Sequence, residues 1–188
     1  MKIGIDIDGV LTDYSKFCLD YGTLYYNVIN PNEYDFPLIF GITKEEENIF
    51  WDKHRKDYFI NTHARNFASE VIKKLINEGN EIYLITSRNF LISKVDDGSG
   101  KVEYTKSWLE KNDIPYNKLI FTPHDKVPTI INEKVEIMIE DSPNNIRSIS
   151  EYIPVIKMDT IYNTDVTGNN IHTSYSWNDI YKIIHMKK

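Results

Sequence analysis

Asp6 and Asp8 stand two residues apart at the end of the apolar run "KIGIDI", and Glu140 and Asp141 close a second run in "IMIEDSPNN". Like charges at the ends of strands that should be buried cost both desolvation and mutual repulsion. A hard divalent cation shared by Asp6, Asp8 and Asp141 would offset that cost, because such ions prefer oxygen ligands. Mg²⁺ suits the pattern, since it takes few protein carboxylates and keeps waters or phosphate oxygens. Two further segments add complementary chemistry. Thr86 in "LITSR" offers a hydroxyl, and Lys126 in "HDKVPTIIN" offers an ammonium. Both can hold phosphoryl oxygens, and backbone N–H groups after Asp8 can assist. Ser87 and Arg88 follow Thr86 directly and are candidate substrate-binding residues with Thr86 and Lys126, and Arg88 can reach either a substrate or a structural carboxylate. The combination of carboxylates, hydroxyl and ammonium is that of phosphoryl transfer.

Plainer roles compete at several positions. Asp6 and Asp8 alternate with Ile3, Ile5 and Ile7, as the solvated face of an edge strand would. Asp13 is placed to cap the helix that follows it. Asp141 could cap "SPNNIRSI", with Pro143 at an early helical position. Lys118 and Lys134 are alternative ammonium donors, but one precedes a strand and the other lies in a charged turn. The five histidines, His54, His63, His124, His172 and His185, are scattered without zinc spacing and read as structural or surface residues.

The elements that must position these groups alternate along the chain. Short apolar runs at 2–7, 81–86, 119–121, 135–140 and 154–157 predict strands. Helical patterns fall between them. In "NFASEVIKKLINEGN", Asn66 is the expected cap, and Phe67, Val71, Ile72, Leu75 and Ile76 form one face that Gly79 ends. "VEYTKSWLEKNDIP" puts Trp108 and Leu109 on its apolar side, and "NNIRSISEY" and "WNDIYKIIHM" complete the set. Strands alternating with helices predict a parallel sheet covered on both faces, with ligands beyond the carboxyl ends of the strands. Residues 14–65 break the rhythm. They carry helical pieces, "SKFCLDYGTLYY" and "KEEENIFWDKHRKDYF", and are rich in aromatics. We read them as a helical insertion after the first strand, with 1–13 and 66–188 forming the core domain. Most of these rings should pack the insertion's own core, and one or two could stack on a flat substrate group.

"DIDGVLTD" resembles the first motif of the haloacid dehalogenase (HAD) superfamily phosphatases. "LITSR" is similar to the second motif, Lys126 to the third and "IMIEDSPNN" to the fourth, in the right order from residue 3 to 145. The resemblance implies an α/β, Rossmann-like three-layer core with a small C1-type cap. It implies Asp6 as nucleophile and Asp8 as general acid and base, whose backbone carbonyl also binds metal. It further implies Asp141 as a direct Mg²⁺ ligand with Glu140 behind it, and Thr86 and Lys126 on the phosphoryl oxygens. "EIYLITSRN…TKSWLEKNDIPYNKLIF…DK" resembles the 5′(3′)-deoxyribonucleotidase group and its bacterial relatives more narrowly. That implies a nucleoside monophosphate substrate. The segment "LISKVDDGSGK", 91–101, reads as an insertion-like loop that could alter access.

The rest of the composition is consistent with an enzyme of small molecules. The 188 residues fit one domain with an insertion, and the net charge of -6 disfavours a nucleic-acid polymer as substrate. The single cysteine, Cys18, and the lack of a long apolar N-terminal run predict a cytoplasmic protein without a membrane span. A homodimer stays open. The alternatives are a HAD phosphatase for sugar or polyol phosphates, which needs the same core and another cap, and a non-catalytic HAD-like binding protein. A dehalogenase would lack the second aspartate that Asp8 supplies. A receiver domain would carry its phosphorylated aspartate on a later strand.

Overall fold

A computed structural model describes residues 1–88 and 99–186. Residues 91–98 of the expected access loop lie outside the described residues. Six parallel strands form one sheet in the order β3-β2-β1-β4-β5-β6. They are β1 (Lys2–Ile5), β2 (Glu81–Thr86), β3 (Lys118–Phe121), β4 (Ile137–Glu140), β5 (Val155–Met158) and β6 (Ile171–Ser174). The chain runs outward from β1 to β3 and then returns to the other side of β1. The order therefore reverses between β1 and β4, which are paired from Ile3↔Ile137 to Ile5↔Ile139. A crevice beyond the carboxyl ends of two such strands is where open parallel sheets bind ligands. β1 and β4 deliver Asp6 and Glu140–Asp141 there.

Side-chain alternation divides the sheet into two apolar faces. Ile3, Ile5, Ile82, Leu84, Ile137 and Ile139 pack one way, against α4 (Ala68–Asn77), α5 (Ser99–Lys111) and α8 (Trp177–Met186). Tyr83, Ile85, Met138 and Val155 pack the other way, against α6 (Val127–Glu133) and α7 (Pro143–Ser150). This is the three-layer architecture expected. Gly4 sits in the middle of the sheet because a Cβ there would meet the Met138 sulfur at 2.6 Å.

Three helices fall between β1 and α4: α1 (Tyr14–Gly22), α2 (Phe36–Phe40) and α3 (Lys44–Asn61). They build a separate aromatic core from Phe17, Phe36, Phe40, Phe50, Tyr58 and Phe59, with Cys18 buried inside it. Most rings of this region are thus packing residues. Thr43 and Glu46 close a capping box on α3. Asp13 caps α1 as expected, its Oδ1 accepting from the Lys16 N–H at 3.1 Å, and Arg65 approaches its other oxygen at 3.4 Å.

Three expectations need correction. Asn66 does not cap α4. Phe67 occupies that position at φ 66° and is 58% exposed, so it leaves the apolar face. β6 carries the half-buried, polar pattern "IHTS" of an edge strand, which has no apolar run to reveal it. The strand at 2–7 ends at Ile5, although the Asp6 N–H still donates to Ile139 O at 3.0 Å. None of the described helices is long and apolar enough to cross a membrane.

Asp13→Ala should cost about 1 kcal/mol, the usual worth of an N-cap side chain. Urea unfolding measures it, and an unchanged midpoint would show that the Arg65 contact and the cap carry no stability.

Candidate active site

Asp6 is the first residue past β1 and is 7% exposed. Lys126, at the N-cap of α6, places its Nζ 2.7 Å from Asp6 Oδ1 and 2.7 Å from Glu140 Oε2. Glu140 is fully buried, and its Oε1 accepts the N–H groups of Asp141 and Ser142 at 3.2 and 3.1 Å. Oxygens of Asp6, Glu140 and Asp141 lie within 4.8 Å of one another. Three buried carboxylates therefore share one ammonium. Burial drives the Asp6 pKa up to about 7, opposed by Lys126 and reinforced by Glu140 and Asp8. Burial, then Glu140 and Asp6, also raise Asp141. Burial works against the Lys126 ammonium, but Asp6 and Glu140 outweigh it and hold its pKa above the ordinary lysine value.

The donor set fits a hard divalent cation. It consists of carboxylate oxygens only, and Asp141 Oδ1 is buried without a hydrogen-bond partner. The other oxygen, Oδ2, accepts from the Tyr162 hydroxyl. The Asn163 amide donates to the Asp141 backbone carbonyl at 2.7 Å. Buried Lys157 ties down the loop that carries both, donating to Asn163 O and Val166 O at 3.0 and 3.1 Å. The Asp141 carboxylate is thus held with one oxygen occupied and one free, as outer hydrogen bonds hold metal ligands. Gly9, at φ 82°, leaves room for it, since a Cβ there would collide with the Asp141 carboxylate. Asp141 does not cap α7; Ser142 occupies that position.

Asp8 departs from the expected cation triad. Its carboxylate is engaged elsewhere. Arg88, fully buried, donates Nε to Oδ1 at 2.9 Å and to Oδ2 at 3.1 Å, and Nη2 to Oδ1 at 2.7 Å. Tyr58 donates its hydroxyl to Oδ1 at 2.7 Å. Of the two partners open to Arg88, the structure selects a carboxylate, and that carboxylate is Asp8. The guanidinium lies over the rings of Phe59, Tyr58 and Trp108 at 4.7, 5.5 and 5.5 Å, a packing that favours a cation.

Thr86 is buried at the end of β2, where its hydroxyl accepts from the Arg88 N–H at 3.3 Å. Ser87 donates its hydroxyl to Pro123 O at 3.1 Å, so it ties the loop after β3 to the loop after β2. Lys118 instead pairs with Glu133 near the surface, and Lys134 ends α6 in the left-handed region. A cleft of about 720 Å³ opens beside the two segments that join the insertion to the core, lined by Asp13, Lys16, Arg65, Tyr175 and Trp177 among others. None of Asp6, Glu140 and Asp141 lines it. Over the acidic cluster the insertion closes instead, with Tyr34 edge-on to Tyr162 at 5.1 Å.

The model of the family described as 5′ nucleotidase, deoxy (pyrimidine), cytosolic type C protein matches residues 1–188. The chain belongs to that family. A nucleotidase of Clostridium acetobutylicum is 30% identical over 189 residues, covering 98% of this chain and 93% of that protein. Among solved structures, a HAD-superfamily hydrolase from Ehrlichia chaffeensis aligns with a TM-score of 0.54 at 16% identity, over 98% and 96% of the two chains. A D,D-heptose 1,7-bisphosphate phosphatase from B. bronchiseptica, complexed with magnesium and phosphate, aligns with a TM-score of 0.58 at 10% identity over the whole of both. The chain shares the α/β fold of these solved structures, and its family makes it a phosphatase related to the nucleotidases.

Sequence reasoning missed Tyr58 as a partner of Asp8, and missed Tyr162, Asn163 and Lys157 altogether. Tyr58 was one aromatic among many in the insertion. The other three follow or end the fifth strand, at the same rim as Asp141, and only that position signalled them.

Lys126→Met should remove the ammonium paired with Asp6 and Glu140 and cost about 3–5 kcal/mol at pH 8, as breaking a buried pair does. The loss should shrink at pH 5. Folded Asp6 binds its proton more tightly than the unfolded chain does, so metal-free stability falls as pH rises from about 4 to about 7. Urea titrations in EDTA at both pH values measure this. An equal loss at both would contradict the shared-ammonium account.

Proposed function

We propose that the protein is a Mg²⁺-dependent phosphomonoesterase that releases phosphate from nucleoside monophosphates through an aspartyl-phosphate on Asp6. One observation carries the reading. At the point where strand order reverses, Asp6 lies against Lys126, with a carboxylate oxygen of Asp141 left unpartnered nearby. Membership of a nucleotidase family supports the substrate class.

An Asp6 carboxylate oxygen attacks phosphorus, and the bond to the ester oxygen breaks. Asp8, which must enter the reaction protonated, gives that proton to the departing oxygen, releasing the alcohol. Asp8, now ionised, takes a proton from water as the water oxygen attacks the phosphoryl group. The bond to Asp6 breaks, phosphate leaves, and both carboxyls return to their starting states. Lys126 and the Thr86 hydroxyl bind the phosphoryl oxygens and offset their charge. The Asp6 and Asp141 carboxylates and the Asp8 backbone carbonyl would hold the Mg²⁺, which neutralises charge on the transferring group. Glu140 holds Lys126 and the turn at Asp141 in place. The insertion acts as the cap that encloses the substrate.

Phosphate release should be measured with Mg²⁺ over nucleoside 5′- and 3′-monophosphates and common sugar phosphates. We expect deoxynucleotides to be preferred. Preference for a sugar phosphate would keep the chemistry and discard the nucleotide reading. Release from none of them would favour a binding-only protein. Asp6→Asn should abolish turnover on every substrate while the melting temperature is kept, and turnover like that of the unmodified protein would sink the mechanism.

Mg²⁺ should also raise the melting temperature of EDTA-treated protein, and by more at pH 8 than at pH 5. Binding must displace the protons that burial holds on Asp6 and Asp141. Scanning fluorimetry reads the shift; one that does not vary with pH would count against these ligands.

A further inference from the structure

We infer that Tyr58, on α3 of the insertion, is a positioning residue for Asp8, so that the insertion itself sets the orientation of the group that protonates the leaving oxygen. The inference rests on the phosphatase reading above and deepens it.

Hydrogen bonding around Asp8 is one-sided. Oδ1 accepts from the Tyr58 hydroxyl at 2.7 Å and from Arg88 Nη2 and Nε at 2.7 and 2.9 Å. Among the described residues Oδ2 accepts only from Arg88 Nε, at 3.1 Å. The carboxyl is therefore fixed through Oδ1, and Oδ2 is the oxygen left to exchange a proton with the substrate. Neither partner alone achieves this. A guanidinium fork can engage a carboxylate symmetrically through two oxygens. Tyr58 biases the pair by loading Oδ1 from the insertion side.

The Tyr58 hydroxyl is itself held. Thr12 Oγ1 lies 2.8 Å from it, and the same Oγ1 accepts from the Gly9 N–H at 3.3 Å. With the Tyr58 proton committed to Asp8, the Thr12 hydroxyl can donate to Tyr58 at 2.8 Å in preference to Ile7 O at 3.3 Å. A chain thus runs from Gly9 through Thr12 and Tyr58 to Asp8, leaving the loop after β1 and returning to it through the insertion. The Tyr58 ring is 2% exposed and packs on Phe17 and Trp51 at 4.8 and 5.8 Å. It has no room to move apart from α3. The hydroxyl reaches Asp8 only when the insertion is seated on the core, which couples enclosure of the substrate to placement of the acid.

Tyr58→Phe keeps the ring and its packing and removes the hydroxyl. The test compares kcat/KM for two esters with Mg²⁺. One is a nucleoside monophosphate, whose alkoxide leaving group needs protonation, and the other is p-nitrophenyl phosphate, whose leaving group hardly does. The variant should lose about 10–100-fold on the nucleotide, part of the worth of general acid catalysis, and less than about threefold on the nitrophenyl ester. Thr12→Val, which keeps volume and frees Tyr58 Oη, should show the same pattern at smaller size. Asp8→Asn sets the scale and should show it most strongly. Equal losses on the two esters, or none, in both Tyr58→Phe and Thr12→Val overturn the role of Tyr58 when Asp8→Asn shows the pattern. Its absence in Asp8→Asn overturns the acid assignment, and the role of Tyr58 with it.

Discussion

One ammonium among three buried carboxylates is the constraint on which this structure turns. Lys126 Nζ lies 2.7 Å from both Asp6 and Glu140, and Asp141 completes the cluster. A single cation cannot balance that charge, so burial leaves Asp6 and Asp141 with raised pKa values. Such an imbalance would be a defect in a structural core. At the mouth of a parallel sheet it is a site prepared for positive charge.

The fold makes the cluster possible through backbone geometry. Strand order reverses between β1 and β4, so two strand ends open onto one crevice. Gly9 turns the chain after β1 with positive φ and keeps clear of the Asp141 carboxylate. Glu140, fully inside, spends one oxygen on Lys126 and the other on the turn at Asp141 and Ser142. The fifth strand contributes from behind, where Lys157 anchors the loop that brings Tyr162 and Asn163 to Asp141. Lys126 thus holds Asp6 and Glu140, the loop after the fifth strand holds Asp141, and rigidity comes from their convergence.

The insertion adds a second core rather than extending the first. Its rings pack on one another, while a few described side chains turn towards the acidic residues. Tyr34 meets Tyr162 above the acidic cluster, and Tyr58 meets Asp8. Arg88 joins the two parts, because its charge serves Asp8 while its face rests on Phe59, Tyr58 and Trp108.

Much of this was legible in the sequence. The parallel core follows from short apolar runs alternating with amphipathic helices, and the acidic residues and Lys126 announce themselves at run ends in a fixed order. Local rules also identified Asp13 as a cap and the aromatics of 14–65 as a separate core. Where local signals were weak the reading failed, as at the polar edge strand β6 and at Asn66, which yields the cap of α4 to Phe67. The partners of the acidic groups lay beyond sequence reasoning for a different reason. Tyr58 is 50 residues from Asp8, Arg88 is 80 from it, and Tyr162 is 21 from Asp141. No period or spacing links such pairs. Residue types and strand ends determined which chemistry was available; packing between distant elements decided which partners hold each carboxylate and left Asp141 Oδ1 without one.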